Sequence, residues 1–307
     1  MKKFMKICRK DQESLKKWLN KVLSKAYEEE IINEDGFLYA KGNIPVLVTA
    51  HMDTVHEKTC TEIKIEKQNT YTILSSPQGI GGDDRCGIWM IYKLLKTTSF
   101  RPYVLFCEDE EIGGVGSGKF VDSPYIDDLK EVKYMIELDR ANYDDAVYYD
   151  CGNEEFKQYI ALITGYKEAW GSFSDISNLS PAVDVASVNL SCGYYKAHTT
   201  QEYVVFEEME NTLEIVKLLL DDLVNADYFD YQGYVSNWFD NDAYWNTTTT
   251  NPTTNSTTIY EFYFIEKGKE EYDHIQAESY YEALGILVEK HPTICANNIV
   301  DYYTYTI

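Results

Sequence analysis

Residues 46–53 read VLVTAHMD. Apolar and β-branched residues run into a His with no polar alternation. That is the pattern of a strand buried on both faces, as in the parallel sheets of α/β proteins. His51 and Asp53 close the run, at the carboxyl end where open α/β sheets place their ligand sites.

Two further apolar runs behave the same way. Tyr103–Cys107 ends in Glu108-Asp-Glu-Glu111, and Tyr134–Leu138 ends in Asp139. Around them, residues 11–28 carry Leu15, Trp18, Leu19, Val22 and Leu23 at helical spacing. Ile31–Tyr39 reads as two short strands about Glu34-Asp35-Gly36, and 61–75 as an edge hairpin. The glycine-bracketed loop Gly79–Gly87 leads into a helix over Ile88–Leu95, and Gly113–Phe120 is a Gly-rich turn entering another. Residues 157–164 and 184–190 read as strands, and Met209–Leu223 as a closing helix. The expected fold class is α/β, with a mostly parallel central sheet flanked by helices over residues 1–225. Residues 226–258, with the run Asn246–Thr258, read as a Tyr/Asn/Thr-rich linker. Residues 259–307 read as a small ββαβ unit, its helix opened by Ser279 and its last strand near Ile299–Tyr305.

Charge narrows the partners. Lys and Arg number 28 against 51 Asp and Glu, a net charge of -23. Phosphate is repelled, so neither nucleic acid nor an anionic membrane is expected, while cations are attracted. The 7 Cys include no CxxC pair. That pattern fits a reducing compartment, and the expected location is the cytoplasm. The first residues lack the apolar core of a signal peptide, and no 18-residue apolar run occurs.

Four acid or His clusters punctuate residues 1–225: His51-Met-Asp53, Asp83-Asp84, Glu110-Glu111 and Asp139, with His198 following. Each alone has an ordinary reading. His51 with Asp53 is a satisfied core histidine, Asp83-Asp84 a helix cap, Glu108–Glu111 a solvated turn, and Asp139 a partner for Arg140. Together they gather carboxylates into one crevice, which is costly unless cations are present. Imidazole and carboxylate without thiolate suit zinc, with manganese or cobalt as substitutes. His56 reads as exposed, His274 and His291 as surface residues, and Cys86 and Cys107 as small buried side chains.

HMDTV, GIGGDDRCG, EDEEIGGVGS, ELD and AHTTQEY occur in the order and rough spacing of the di-zinc exopeptidase superfamily. The chain resembles that superfamily over residues 1–225. The resemblance implies that His51, Asp83 and Asp139 hold one metal and that Asp83, Glu111 and His198 hold a second, Asp83 bridging. It implies Asp53 as the orienting partner of His51 and Glu110 as the general base. It also implies a cis peptide between Asp83 and Asp84. The implied activity is peptide-bond hydrolysis by a hydroxide shared between two divalent ions. Only 58 residues separate Asp139 from His198, and 29 separate Asp53 from Asp83. Neither gap accommodates the inserted domains of peptidase T, the glutamate carboxypeptidases or the tetrahedral aminopeptidases, so the lidless aminopeptidases are the nearer pattern.

The substrate end stays open at this level. A carboxypeptidase needs a cation for the free carboxylate, usually Arg. The chain has four Arg, of which Arg85 and Arg140 adjoin the expected ligands. An acidic site suits an α-ammonium better, which favours an aminopeptidase. A deacylase acting on N-acyl amino acids and a carboxypeptidase are the alternatives within the superfamily. A catalytically silent, metal-stabilised binding protein is the alternative outside it. The oligomeric state is not legible.

Overall fold

The computed structural model describes residues 1–224, 226–231, 258–266, 269–277, 286–287, 290–291 and 299–306. The chain divides into two compact units, Met1–Val235 and Ser236–Ile307. In chain order the first contains α1 (Lys2–Cys8), α2 (Gln12–Ala26), β1 (Ile32–Glu34), β2 (Phe37–Ala40), β3 (Ile44–His51), β4 (Lys64–Gln68), β5 (Tyr71–Ser75), α3 (Gly82–Thr97), β6 (Pro102–Cys107), α4 (Val115–Val121), β7 (Tyr134–Arg140), β8 (Asp145–Val147), α5 (Glu154–Thr164), β9 (Lys167–Ala169), α6 (Ile176–Val183), β10 (Ser187–Ser191), β11 (Tyr194–Tyr195), β12 (Tyr203–Val205) and α7 (Phe206–Asp221).

An eight-stranded sheet in the order β1-β2-β6-β3-β7-β10-β8-β9 forms the centre. Its four inner strands, β6, β3, β7 and β10, are mutually parallel. Their carboxyl ends therefore share one edge, and His51, Cys107 and Arg140 close three of them. The continuous apolar runs follow from burial on both faces. Val46, Val48, Ala50, Val104, Phe106, Ile136 and Leu138 point into one core with residues of α1, α2, α3 and α7. Leu47, Leu105, Cys107 and Met135 point into another with Phe120, Leu129 and Leu179. A four-stranded antiparallel sheet, β11-β12-β5-β4, carries the expected hairpin at its edge.

One expected strand is a helix. Residues 157–164 lie in α5, where the Asn153 side chain caps the first turn by accepting from Phe156 N–H at 2.8 Å. Gly165, at φ 69°, ends it in the left-handed conformation favoured after helices. Buried Phe156 and Ile160, four residues apart, face the core, so helical spacing overrides the β-branched content. The expected linker also begins inside this unit. Ala226 and Phe229 are buried, and Phe229 O accepts from Ala186 N–H at 2.8 Å. Residues 232–257 lie outside the described residues.

In the second unit, β13 (Thr258–Glu266) pairs antiparallel with both β14 (Lys269–Ala277) and β15 (Ile299–Thr306). Tyr260, Phe262 and Phe264 alternate onto one face and are buried with Ile275 and Leu287. Most of the helix expected from Ser279 lies outside the described residues. Among the described residues, no helix is long and apolar enough to cross a membrane.

Candidate metal centre

The parallel edge brings the separate clusters together. His51, at the end of β3, is fully buried. Its Nδ1 lies 3.0 Å from Asp53 Oδ1, which fixes the ring and turns Nε2 toward the crevice. There Nε2 meets Asp83 Oδ1 at 3.0 Å and Asp139 Oδ1 at 3.3 Å. The other oxygen of Asp83 faces a second histidine, with His198 Nε2 3.2 Å from Asp83 Oδ2 and 3.0 Å from Glu111 Oε2. One carboxylate thus presents one oxygen to each of two donor groups. His198 stands at φ 61°, a left-handed conformation uncommon for a residue with a side chain.

The sequence around Asp83 explains its reach. Gly81, at φ 67°, turns the chain, and neither Asp83 nor Asp84 has helical backbone angles although α3 begins beside them. The Asp83–Asp84 peptide is cis, as the resemblance implied. Asp84 points away from Asp83, accepting His51 N–H at 3.1 Å and Gly87 N–H at 2.8 Å. A side chain at Gly87 would strike the Leu138 carbonyl at 2.0 Å, so glycine lets α3 lie against the end of β7.

Protonation follows from crowding. Burial opposes ionisation of Asp83, but hydrogen bonds from His198 and His51 outweigh it and hold its carboxyl below the usual range. Burial and the Asp83 charge push Asp139 up. Burial also raises Glu110, to about 8, reinforced by Asp175, Asp83 and Glu111. Hydrogen bonds to Asp83 and Glu111 raise His198 to about 10. Asp53 moves the other way: burial is outweighed by His51 and by the N–H groups of Glu111 and Glu110. Those two N–H groups donate to Asp53 at 3.0 and 3.1 Å, tying the acidic loop after β6 to the loop after β3.

Two groups of donors lie within 4.8 Å of one another and could hold a metal ion: His51 with Asp84 and Asp139, and His51 with Asp83 and Glu111. Both Asp84 oxygens already accept backbone N–H groups, so Asp83 is the better donor beside Asp139. Glu111 Oε1 is buried without a hydrogen-bond partner, and Asp139 Oδ1 faces only the His51 ring, at 3.3 Å. Orphaned carboxylate oxygens and imidazole nitrogens facing one another suit divalent cations with oxygen and nitrogen ligands.

Several residues at the site carried no signal that was read from the sequence. Glu202, fully buried, accepts Gly81 N–H at 2.8 Å and Asp83 N–H at 3.0 Å. Its Oε2 lies 2.9 Å from His56 Nε2. His56 was expected on the surface, but its side chain is only 9% exposed. It packs on Gly79, where a Cβ would fall 2.1 Å from the imidazole, so the glycine loop admits it. Asn189 accepts Asp139 N–H at 2.9 Å, and Tyr194 O–H donates to the Asp139 carbonyl at 2.8 Å. Glu202 stands in the AHTTQEY stretch, four residues after His198, and that proximity was the one available clue. Arg85 is buried and donates to the carbonyls of Met52, Asp53 and Lys10. Arg140 pairs with Asp145 at 3.3 Å.

No family of sequences matches the chain, and no curated protein does. Solved structures do. It is similar to the aminopeptidase PepT from Bacillus cereus, with 15% identity and a TM-score of 0.57 over 73% of this chain and 97% of that one. It is similar to a tripeptidase from Staphylococcus aureus, with 12% identity and a TM-score of 0.57 over 72% and 97% of the two chains. An aminopeptidase from the archaeon Desulfurococcus kamchatkensis gives 11% identity and a TM-score of 0.55 over 72% and 95%. At such identities the likeness establishes a shared fold, an α/β sheet flanked by helices.

Proposed function

Starting from the fold that this chain shares with those peptidases, we propose that it is a metal-dependent exopeptidase, acting most readily at the amino end of a peptide. The observation that carries the reading is the placement of Asp83, one oxygen toward His51 and the other toward His198. His51, Asp83 and Asp139 would hold one divalent cation, and Asp83, Glu111 and His198 the other. Zinc suits these ligands, with manganese or cobalt as alternatives. When bound, such ions polarise a carbonyl and lower the pKa of water.

The chain's own residues do the rest. Asp53 holds the His51 ring so that Nε2 faces inward. Glu110, pushed up to about 8, has a proton affinity near the working range of a general base. A divalent cation bound beside it would favour the ionised carboxylate that accepts a proton. Glu110 takes the proton of the attacking water and returns it to the leaving amine. A free carboxylate finds no spare guanidinium beside the ligands, since Arg85 is spent on backbone carbonyls and Arg140 on Asp145. That supports an aminopeptidase over a carboxypeptidase; a deacylase remains the alternative with the same chemistry.

Hydrolysis of amino-acid p-nitroanilides, dipeptides and N-acyl amino acids would be measured beside metal content, for the wild type and Glu110→Gln. The expected result is cation-dependent cleavage by the wild type alone. Two bound cations with no cleavage across the panel would overturn the hydrolase reading and leave a metal-stabilised binding protein.

A further inference from the structure

The acidic loop after β6 is fastened at two places. Asp53 accepts the N–H groups of Glu110 and Glu111. Helix α2 takes hold of the two residues before them, Glu108 and Asp109. The Asp11 side chain caps α2 by accepting from Ser14 N–H at 2.7 Å, and buried Leu15, Leu19, Val22 and Leu23 anchor the helix in the core. Gln12 and Lys16 lie four residues apart, so their side chains are neighbours on one helix face.

Both reach the loop. The Lys16 ammonium lies 2.5 Å from Glu108 Oε2, and each side chain is only 14% exposed. Lys16 also donates to the Glu34 carbonyl, and Gly36 N–H donates to the same Glu108 oxygen at 3.0 Å. Glu108 is thereby tied to α2 and to the turn between β1 and β2. The Gln12 amide donates to Asp109 Oδ1 at 3.1 Å. Asp109 stands at φ 59°, the left-handed region that a residue with a side chain enters at a cost. The next residue is Glu110, so the turn that aims the general base runs through a strained position.

The Gln12 side chain carries an independent mark of this role. Its Oε1 is buried with no hydrogen-bond partner. A buried amide oxygen left unpaired is destabilising. Turning the amide over would set that oxygen against the Asp109 carboxylate, acceptor against acceptor. The amide therefore keeps its N–H on Asp109 and leaves Oε1 unpaired.

We propose that Gln12 and Lys16 are positioning residues for Glu110 and Glu111. By fixing Glu108 and the left-handed turn at Asp109, they set where the next two carboxylates point. Glu110 is aimed at the attacking water, and Glu111 at the cation it would share with Asp83 and His198. The catalytic consequence rests on the exopeptidase reading, whereas the effect on Glu111 is read from cation affinity alone.

The test compares the full-length wild type with Lys16→Met, Lys16→Arg and Gln12→Leu. Zinc affinity at each site is taken from a competition titration, the Glu111 site being the one lost in His198→Ala. The kcat and KM are measured with amino-acid p-nitroanilides, and stability by denaturant melts. Lys16→Met should weaken zinc at the Glu111 site by about tenfold and spare the His51–Asp139 site. Its kcat should fall by about tenfold with KM unchanged. Lys16→Arg, which keeps the charge and its donors, should restore both. Gln12→Leu should act in the same direction but less, since it removes a neutral hydrogen bond. A merely structural clamp would lower stability and weaken both zinc sites alike, and that result would overturn the proposal. So would an unchanged Glu111 site in Lys16→Met, or no recovery in Lys16→Arg. If the wild type binds zinc and cleaves nothing, the exopeptidase reading falls, and the difference between the two zinc sites still decides the role of Lys16. Should Lys16→Met fail to fold, Gln12→Leu yields the same comparison of sites.

Discussion

The two halves of the candidate metal centre are built differently. On one side His51 is 0% exposed and Asp139 10%, and both project from ends of central strands. Each is held from behind: His51 by Asp53 and Asp84, Asp139 by Asn189 and Tyr194. On the other side Glu111 and His198 come from loops, and the His198 side chain is 58% exposed. Among the described residues, the His198 ring is held only by Asp83 and Glu111. The strand half is set by buried hydrogen bonds, whereas the loop half leaves the His198 side chain largely open to solvent. The first should bind tightly and exchange slowly, the second more weakly and faster.

The largest effect should come from the residue the halves share. Asp83→Asn is expected to lose both cations and reduce hydrolysis to background, measured by metal analysis and by a dipeptide assay. Retention of one tightly held ion would show that the strand half stands without it. Glu110→Gln tests the group outside both halves. Its kcat should fall by about 10²–10⁴-fold with cation content unchanged, and a parallel loss of metal would move Glu110 among the ligands.

The next pair separates the halves. His51→Ala removes the imidazole from buried carboxylates and should cost about 3–5 kcal/mol of stability. His198→Ala should cost less stability than His51→Ala, because the His198 side chain is 58% exposed and its ion pairs are screened by solvent, while bound cations fall from two to one. Denaturant melts and metal counts read both, and equal costs would abolish the contrast. Glu202→Gln weakens support behind Asp83 and should lower cation affinity by about 10–100-fold in a competition titration.

The smallest effect is in pH. The His198 pKa stands above its unfolded value of 6.5, at about 10 in the metal-free protein. Its ion pairs therefore stabilise that protein fully below pH 6.5 and cease to do so as pH rises through about 10. A cation displaces the same proton, so affinity of the loop half should rise by about tenfold per pH unit inside that window. The strand half, whose His51 proton competes separately, is read from the tighter binding event. A loop-half affinity independent of pH would mean that His198 is not a ligand.

Much of this was legible in the chain. The unbroken apolar runs of β3, β6 and β7 identify buried parallel strands, because burial on both faces leaves no room for polar alternation. Acids and a His at their ends then fall on one edge. The α5 segment was misread because Ile160, Leu162 and Ile163 suit a strand as well as a helix over a short window. The Asn153 cap and the Gly165 terminator were the cues that decided it. Helix α1 was not recognised, since 7 residues show too little periodicity.

Composition, the unbroken apolar runs of β3, β6 and β7 and the order of acidic clusters are properties of local sequence, and the sequence by itself determined them. Tertiary structure alone decided which oxygen of Asp83 faces which histidine, that Glu202 holds the Asp83 backbone across 119 residues, and that the His56 ring turns inward to Glu202. It also decided that Arg85 is spent on carbonyls rather than open to a substrate. The reason is physical: directed contacts between segments far apart in the chain depend on how the sheet edge brings them together, and no short-range pattern encodes that distance.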